Sequence, residues 1–168
     1  LSFMIKEILD TSRLDFTQEK QDAETFDLSE CLPAICEPYQ LIAKAKGLDF
    51  SFSIQGKCPV HTSKKGLEKI LSNLLSNAVS YTKPGCKITV LLTARQIKIE
   101  NECTPIPPDK LAHVFEPFYR PDFARDRKDG GNGLGLYIVD TLSKALGLPY
   151  QFEATKNPPG MCFILYLP

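Results

Sequence analysis

The chain has 168 residues, of which 43% are hydrophobic, 24% charged and 10% aromatic, a composition that excludes a disordered or fibrous protein. The 20 Lys and Arg residues balance 20 Asp and Glu residues, which argues against a nucleic-acid or membrane-binding surface over the whole molecule. No apolar run approaches the roughly 18 residues that a membrane-spanning helix needs.

The N-terminal part is predicted to contain the edge of a helix followed by a connector. Residues 2 to 14 carry apolar side chains at helical spacing, from Met4 to Leu9, which predicts the last turns of a helix whose packing partner is missing. Because the sequence begins at Leu1 with neither Met nor a signal-peptide pattern, we expect it to be a segment of a longer protein. Polar residues 15 to 24 form the connector.

A strand, a helix and a second strand are predicted next. Phe26 and Leu28 alternate as in a short strand, and Ser29 is placed to cap a helix that closes at Gly47. Strict alternation of apolar and polar residues from 48 to 54 predicts the clearest strand of the sequence.

A long helix is predicted from a cap at Thr62 or Ser63 to about Tyr81. Its apolar residues recur at helical spacing, so one face is expected to point into the core. The residues of that face are Leu67, Ile70, Leu71, Leu74, Leu75 and Ala78.

The middle of the chain is predicted to contain a hairpin and a short helix. Residues 88–92 and 97–99 alternate on either side of a turn near Arg95, and the helix runs from about Pro108 to Val114. A long stretch without periodicity follows up to Gly133, and loops of that length are usually functional or disordered.

The last elements are an amphipathic helix from about Leu136 to Leu146, closed by Gly147, and two strands around 150–152 and 163–167. A turn at residues 157 to 160 joins the two strands. Helices and a largely antiparallel sheet in this order predict an α/β two-layer sandwich.

Cysteine and histidine give no sign of a metal site. The six cysteines are scattered, with no C-x-x-C pair and no His at ligand spacing, so we expect reduced thiols of a cytosolic protein. His61 and His113 are isolated in the sequence from each other and from acidic or thiol partners, and we interpret both as surface or packing residues.

Two asparagines mark the long helix as a candidate site. Asn73, Asn77 and Tyr81 are spaced four apart, so their side chains lie on one stripe beside the apolar face. Asn is unfavourable inside a helix, which indicates that the pair serves a ligand, a polar helix face or hydrogen bonds in the core. The sequence alone leaves these alternatives open.

A glycine-rich segment, GGNGLG at 130–135, opens the last predicted helix. Glycines there let the backbone approach an anion, and the N–H groups and dipole of the helix start favour phosphate. Neither a Walker P-loop nor a Rossmann fingerprint fits, because no Lys-Ser/Thr pair follows and no strand leads directly into the glycines. A flexible hinge with a glycine helix start is the alternative interpretation.

The segment before these glycines, 115 to 129, interleaves basic and acidic residues. Alternating charge is usually a solvated surface. Here it flanks the glycine-rich segment, so we interpret it as a lid whose cations can reach a triphosphate.

Three motifs in this order resemble those of bacterial sensor histidine kinases. NLLSNA at 73–78 resembles the N box, FEPFY at 115–119 the F box and GNGLGL at 131–136 the G2 box. Each motif alone is moderately specific, but three in register identify the chain as a member of this family over about residues 24 to 168.

The resemblance implies two segments and a fold. Residues 1 to 15 correspond to the C-terminal end of a dimerisation helix, and residues 16 to 168 to the catalytic, ATP-binding domain. The implied fold is the Bergerat fold shared with gyrase, heat-shock-90 and MutL ATPases, in which a mixed, mostly antiparallel sheet is backed by about three helices. Residues 118 to 125 also resemble the vancomycin-response subgroup.

The resemblance also implies roles for individual residues. Asn77 is the expected Mg²⁺ ligand and Asn73 assists at the phosphates, and these two are the implied catalytic residues. The implied nucleotide-binding residues are Tyr81, which packs on adenine, Asn101, Ile106, Phe118, Arg120, Arg125, Gly131, Gly133, Leu134 and Gly135. An amide oxygen suits a hard cation that phosphates and water otherwise coordinate.

One motif departs from the family pattern, in which the G1 box reads Asp-x-Gly-x-Gly. The aligned stretch here is NECTP, so Asn101 keeps an acceptor for the adenine amino group but loses the charge, and Cys103 and Pro105 replace glycines. Ser80 stands where many relatives have Lys, and Met161 where Thr is common.

The function implied by the resemblance is a histidine protein kinase domain that uses ATP and Mg²⁺ and donates the γ-phosphate to a histidine outside this chain. Its implied partners are its own dimerisation domain, in a homodimer of the full protein, and a response regulator. Nucleic acid and direct membrane insertion are not expected. The implied location is the cytoplasmic domain of a bacterial inner-membrane receptor.

Two alternatives are kept. The first is a nucleotide-binding or interaction module without kinase turnover, which the altered G1 box makes plausible. The second is an ATPase of the gyrase or MutL type. That class carries a catalytic Glu four residues before the metal-binding Asn, and Asn73 occupies this position, so hydrolysis by that route is disfavoured.

Overall fold

The computed structural model describes residues 22–120 and 133–168 of the chain. The predicted helix edge at residues 1 to 15 lies outside these ranges, as do Arg125 and Gly131 and most of the charged segment before the glycines. Within the two described ranges the chain forms seven strands and four helices.

The elements follow one another in the order strand, helix, two strands, helix, two strands, two helices, two strands. They are β1 (Ala23–Asp27), α1 (Leu28–Ala45), β2 (Asp49–Ile54), β3 (Pro59–Ser63), α2 (Lys64–Tyr81), β4 (Lys87–Leu92), β5 (Gln96–Glu102), α3 (Pro108–Leu111), α4 (Gly135–Leu146), β6 (Tyr150–Lys156) and β7 (Pro159–Tyr166).

Five of the strands form one mixed sheet in the order β2-β4-β5-β7-β6. β2 and β4 are parallel, and every other neighbouring pair is antiparallel. The three longer helices cover this sheet, with α2 packed between α1 and α4. The predicted α/β sandwich with a mixed, mostly antiparallel sheet is therefore confirmed, and the short α3 is a fourth helix. β1 and β3 pair as a separate antiparallel ribbon.

The long helix α2 is the centre of the core. Each of the six residues predicted for its apolar face is at most 5% exposed, and Ile70 and Leu71 are fully buried. The predicted cap is also confirmed, because the Oγ atom of Ser63 accepts a hydrogen bond of 3.0 Å from the N–H of Gly66. A buried apolar face and a satisfied N-terminus fix which residues of α2 face outward.

The start of α1 differs from the prediction. Leu28, which its alternation with Phe26 places on a strand, is instead the first residue of the helix, and Asp27 replaces Ser29 as the cap. The Oδ1 atom of Asp27 accepts hydrogen bonds from the N–H and Oγ of Ser29, at 3.0 and 2.7 Å, and from the N–H of Cys58 at 2.9 Å. An ionised acceptor satisfies a helix start more strongly than a hydroxyl does.

Two further elements differ from the prediction. β3 is absent from the sequence prediction because it is short and pairs with β1, more than 30 residues earlier, where local alternation gives little signal. α3 ends at Leu111 and the chain continues as turns, so the predicted helix to Val114 is too long. Neither difference changes the order of strands in the main sheet.

Asp27→Asn is expected to lower the melting temperature at pH 7, because the amide loses the charge that strengthens three hydrogen bonds. The Ser29 side chain, followed by the Cys58 N–H, holds the pKa of Asp27 below its usual 3.8. A lowered pKa stabilises the fold above that value, and the contribution is lost as the pH falls through the folded pKa. In thermal denaturation from pH 7 to pH 2, the difference between wild type and variant should therefore shrink in acid.

The matched control is Asp49→Asn, since the Asp49 side chain is exposed at the start of β2 and makes no hydrogen bond with another described residue. It should leave the melting temperature unchanged. A pH-independent difference for Asp27→Asn would contradict the role of the charge.

Candidate functional site

The polar stripe of α2 is half-buried beside the core face, as its spacing predicts. Asn73, Asn77 and Tyr81 all lie on this stripe. The Nδ2 atom of Asn73 donates a 2.8 Å hydrogen bond to the carbonyl oxygen of Lys69, one turn earlier. This bond fixes the amide so that Oδ1 is the atom left for other contacts.

The first residue of α4 lies directly against the two asparagines. A methyl group at Gly135 would lie 3.3 Å from Oδ1 of Asn77 and 3.5 Å from Oδ1 of Asn73. The Nδ2 atom of Asn77 is at 3.6 Å, so the side-chain amides of both asparagines meet at the same point, where α4 presents its N-terminus and its partial positive charge. Any side chain at position 135 would fill the space in front of both oxygens.

Gly133 brings the predicted F box to the same place. The N–H of Phe118 donates a 3.1 Å hydrogen bond to the carbonyl oxygen of Gly133. A methyl group at Gly133, where φ is +83°, would lie 2.7 Å from the carbonyl carbon of Phe118. Glycine is required here both by the left-handed backbone and by this contact. The structure thus brings the N box, F box and G2 box together.

Aromatic packing anchors the start of the F box. The ring of Phe115 lies 5.1 Å from that of Tyr150 and 5.9 Å from that of Phe152, and Tyr150 stacks on Phe163 at 5.1 Å. The sequence motif places Phe115 in the F box, but it does not connect Tyr150, Phe152 or Phe163 to the site. The available signal is the pair of aromatic residues at alternate positions of β6, which places both rings on one face.

A hydrogen bond connects this aromatic cluster to α4. The hydroxyl of Tyr150 donates a 2.6 Å bond to Oδ1 of Asp140, and burial together with this bond raises the pKa of Tyr150. Tyr150 therefore stays neutral and keeps its donor across the physiological range.

The other end of the F box is open. Phe118 is 41% exposed, and residues 116 to 120 line a cavity of about 350 Å³. Arg120, which is half-buried, lies at the end of the first described range and contributes to this cavity. The structure thus places Phe118 against Gly133 and both residues along one cavity.

The altered G1 box lies at the end of β5. Asn101 is paired with Met161 of β7, and the N–H of Ile106 donates a 3.4 Å hydrogen bond to the buried Sδ atom of Met161. A methyl group at Gly160 would collide with the carbonyl oxygen of Asn101, so β5 and β7 approach as closely as glycine permits. Met161 thus holds the loop after β5.

The end of α2 joins this part of the site. The N–H of Lys83, two residues after Tyr81, donates a 3.1 Å hydrogen bond to the carbonyl oxygen of Glu102. Tyr81 and Asn101 therefore border the same end of the sheet, away from Gly135. Leu134, by contrast, is 1% exposed, so only its backbone can serve a ligand.

The histidines and cysteines lie outside this arrangement. Both His61 and His113 are exposed, as predicted, but the expectation that His113 has no acidic partner is wrong, because its Nδ1 atom lies 2.8 Å from Oε2 of Glu116. All six cysteines are free thiols, and burial raises the pKa of Cys36 to about 12 and that of Cys162 to about 11. These two thiols are therefore neutral and unreactive at physiological pH.

The described ranges, 22–120 and 133–168, contain no group of three or more His, Cys, Asp or Glu residues that could hold a metal ion. A cation at this site would therefore depend on the amide oxygens and on the ligand it accompanies. No helix in the same ranges is long and apolar enough to cross a membrane.

Comparison with known protein families gives one clear match. The family described as histidine kinase-, DNA gyrase B-, and HSP90-like ATPase matches residues 62–168. This range begins one residue before the cap of α2 and contains all the site residues described above.

Two curated relatives match nearly the whole chain. Sensor histidine kinase CusS of Escherichia coli O157:H7 is 31% identical over 98% of this chain and 34% of its own length. Sensor protein VanSB of Enterococcus faecalis is 32% identical over 98% of this chain and 37% of its own length. The chain therefore spans about a third of the length of these relatives.

The fold also matches a solved structure, the nucleotide-free catalytic domain of histidine kinase ThkA. The TM-score is 0.72 and the identity 24%, over 87% of this chain and 95% of that one. The shared fold is established by this match, independently of the sequence motifs.

Gly133→Ala is expected to destabilise the fold more than Gly147→Ala. Both glycines have positive φ, +83° and +69°, so alanine at either position costs about 1–2 kcal/mol of backbone strain. Only the methyl group at 133 also meets the backbone of Phe118, whereas nothing lies within 4 Å of one at 147. Urea unfolding measures the two costs.

Hydrogen exchange separates this local effect from general destabilisation. The Phe118 amide should exchange faster in Gly133→Ala, because its bond to the carbonyl of Gly133 is displaced, and should be unaffected in Gly147→Ala under conditions where both are folded. The contact between Gly133 and Phe118 would be contradicted if both variants lost the same free energy of unfolding and the Phe118 amide exchanged at the wild-type rate.

Proposed function

The chain belongs to the family of histidine kinase-, DNA gyrase B- and HSP90-like ATPases, and on that premise we propose that it is the catalytic domain of a bacterial sensor histidine kinase. It binds ATP with Mg²⁺ and donates the γ-phosphate to a histidine outside this chain. The observation that carries the proposal is the convergence at Gly135, where Oδ1 of Asn73 and of Asn77 face one helix N-terminus.

The residues at Gly135 fit a Mg²⁺–triphosphate group. Amide oxygens are hard ligands suited to Mg²⁺, which keeps water and phosphate in its remaining positions. The Asn77 amide makes no hydrogen bond with another described residue, so Asn77 is assigned as the metal ligand. Asn73, whose amide is fixed on Lys69, assists at the phosphates.

The phosphates are assigned to the start of α4. We assign the backbone N–H groups at Gly133, Leu134 and Gly135 to the phosphate oxygens, because the start of a helix favours an anion. Arg120 and Phe118 are also assigned to the phosphates. Gly131 and Arg125, which lie outside the described residues, have the same assignment. When bound, Mg²⁺ offsets the negative charge of the phosphate oxygens during in-line transfer.

The adenine base of the nucleotide is assigned to the end of the site opposite Gly135. Tyr81 and Ile106 supply apolar contact, and Asn101 supplies hydrogen bonds to the edge of the adenine. The support for this assignment is the hydrogen bond from Lys83 to Glu102, which brings the ends of α2 and β5 together.

Positioning rather than acid–base chemistry is the contribution assigned to these residues. An asparagine at position 73 cannot accept a proton from water as a glutamate would, so hydrolysis of the gyrase type is not favoured. The acceptor is a histidine that attacks the γ-phosphate directly, and a neutral imidazole needs no general base to do so.

The partners follow from the same proposal. Because the chain covers about a third of relatives named sensor kinases, we assign the acceptor histidine to a dimerisation domain of the same protein, as a homodimer. A response regulator then receives the phosphoryl group, and the domain lies on the cytoplasmic side of a membrane receptor.

Asn77→Ala should remove most of the Mg²⁺-dependent part of nucleotide binding. Titration calorimetry with ATP, with and without Mg²⁺, measures this part, and we expect a loss of at least about tenfold in affinity when metal is present, the order of one lost contact to a charged group. Ser76→Ala, at an exposed position of the same helix, is the matched control and should bind as wild type does. Equal losses with and without Mg²⁺ would contradict the ligand role of Asn77.

Phosphoryl transfer should require a separate acceptor. With labelled ATP, we expect no acid-labile phosphohistidine on the 168-residue chain alone and labelling in trans of a supplied dimerisation domain that carries the acceptor. Incorporation at His61 or His113 would refute the assignment of the acceptor. Binding of ATP without transfer to a folded acceptor domain would favour a module that binds without turnover.

A further inference from the structure

Asn101 is the polar side chain on the core-facing side of β5 at the base-binding end. It alternates with Ile97 and Ile99, which are 1% and 4% exposed and belong to the core between sheet and helices. By the same alternation Glu102 points to the other face, where its Oε2 atom accepts a 2.7 Å hydrogen bond from the N–H of Lys87. Both carboxylates that flank Asn101 on β5, those of Glu100 and Glu102, are therefore turned to the other face.

The neighbours of Asn101 leave its amide free to rotate. Asn101 is half-buried, and its side-chain amide makes no hydrogen bond with another residue in the described ranges. Met161, its partner on β7, uses its sulfur to accept the N–H of Ile106, and it has no donor to offer. Rotation about the terminal side-chain bond of Asn exchanges Oδ1 and Nδ2 at little cost, because that torsion is broad and roughly two-fold.

The two orientations of the amide match two kinds of purine edge. Adenine presents a donor at its 6-amino group and an acceptor at N1, which pair with Oδ1 and Nδ2. Hypoxanthine and guanine present an acceptor at O6 and a donor at N1, which pair with Nδ2 and Oδ1 after rotation. A carboxylate has acceptors only, so it pairs with the 6-amino group and repels O6.

We propose that Asn101 makes this site accept 6-oxopurine nucleotides, those of inosine and guanosine, as well as adenine nucleotides. The proposal rests on the nucleotide-binding function proposed above. Inosine nucleotides bind better than guanosine nucleotides, because the 2-amino group of guanine adds a hydrogen-bond donor that needs an acceptor. The sulfur of Met161 already accepts the N–H of Ile106, so it does not serve as that acceptor.

Calorimetric titration of the whole chain with the Mg²⁺ complexes of ADP, IDP and GDP tests the proposal. For wild type we expect the affinity for IDP to lie within about tenfold of that for ADP. In Asn101→Asp, the ratio of IDP to ADP affinity should fall by about tenfold or more, since the carboxylate loses the donor to O6.

Two further variants keep the test specific. Gln96→Glu makes the same amide-to-acid change on the opposite face and at the other end of β5, and it should leave the ratio unchanged. Asn101→Ala removes the side-chain hydrogen bonds to either base, so the affinities for ADP and IDP should fall by similar factors. Circular dichroism checks the fold of each, and Asn101→Ala carries the test if Asn101→Asp does not fold.

The outcomes distinguish this inference from the function on which it rests. Three outcomes would overturn the role of Asn101 while leaving nucleotide binding intact. Wild type could bind ADP more than about 100-fold more tightly than IDP, or the ratio of the two affinities could be unchanged in Asn101→Asp. The third outcome is a loss of affinity in Asn101→Ala that is confined to ADP. Failure of all three nucleotides to bind the folded chain would overturn the proposed function itself.

Discussion

The contact between α4 and α2 at Gly135 is the constraint on which the rest of the site depends. Glycine lets the start of one helix approach two asparagine side chains of the other to within van der Waals distance. From this point the chain leads back through Gly133 to the backbone of Phe118, so the position of the F box is set by the same approach. A larger residue at 135 would separate the helices or turn the amides away, and the three motifs would no longer share one space.

Much of this arrangement could be predicted from local patterns. The apolar spacing of α2 identified six of its core residues, though not Val79, and hence the stripe that carries Asn73 and Asn77. What local patterns could not give are pairings between distant segments. β3 is defined by its register with β1, and Leu28 begins a helix because Asp27, held by Cys58, is the stronger cap. The three-residue spacing of His113 and Glu116 is compatible with a contact. The contact forms because the chain turns after α3, which local spacing alone does not show.

The departures in the G1 box change the contacts of this loop without changing the fold. Cys103, in place of a glycine, is buried, and its N–H donates to the carbonyl oxygen of Pro159. Met161, in place of threonine, accepts the N–H of Ile106 through sulfur, a weak but satisfied contact. The loop after β5 is thus fixed mainly by backbone hydrogen bonds and by the thioether of Met161.

The small ribbon of β1 and β3 has a mechanical consequence. Ala23, the first residue of β1, is paired with Ser63, whose hydroxyl caps α2. Four residues later, Asp27 ties the other end of the same strand to the N–H of Cys58. A pull or twist on the chain that precedes Ala23 is therefore delivered to the first turn of the helix that carries both asparagines, by a path that bypasses the five-stranded sheet. The ribbon and α2 are thus linked by strand pairing and a helix cap, with no strand of the five-stranded sheet between them.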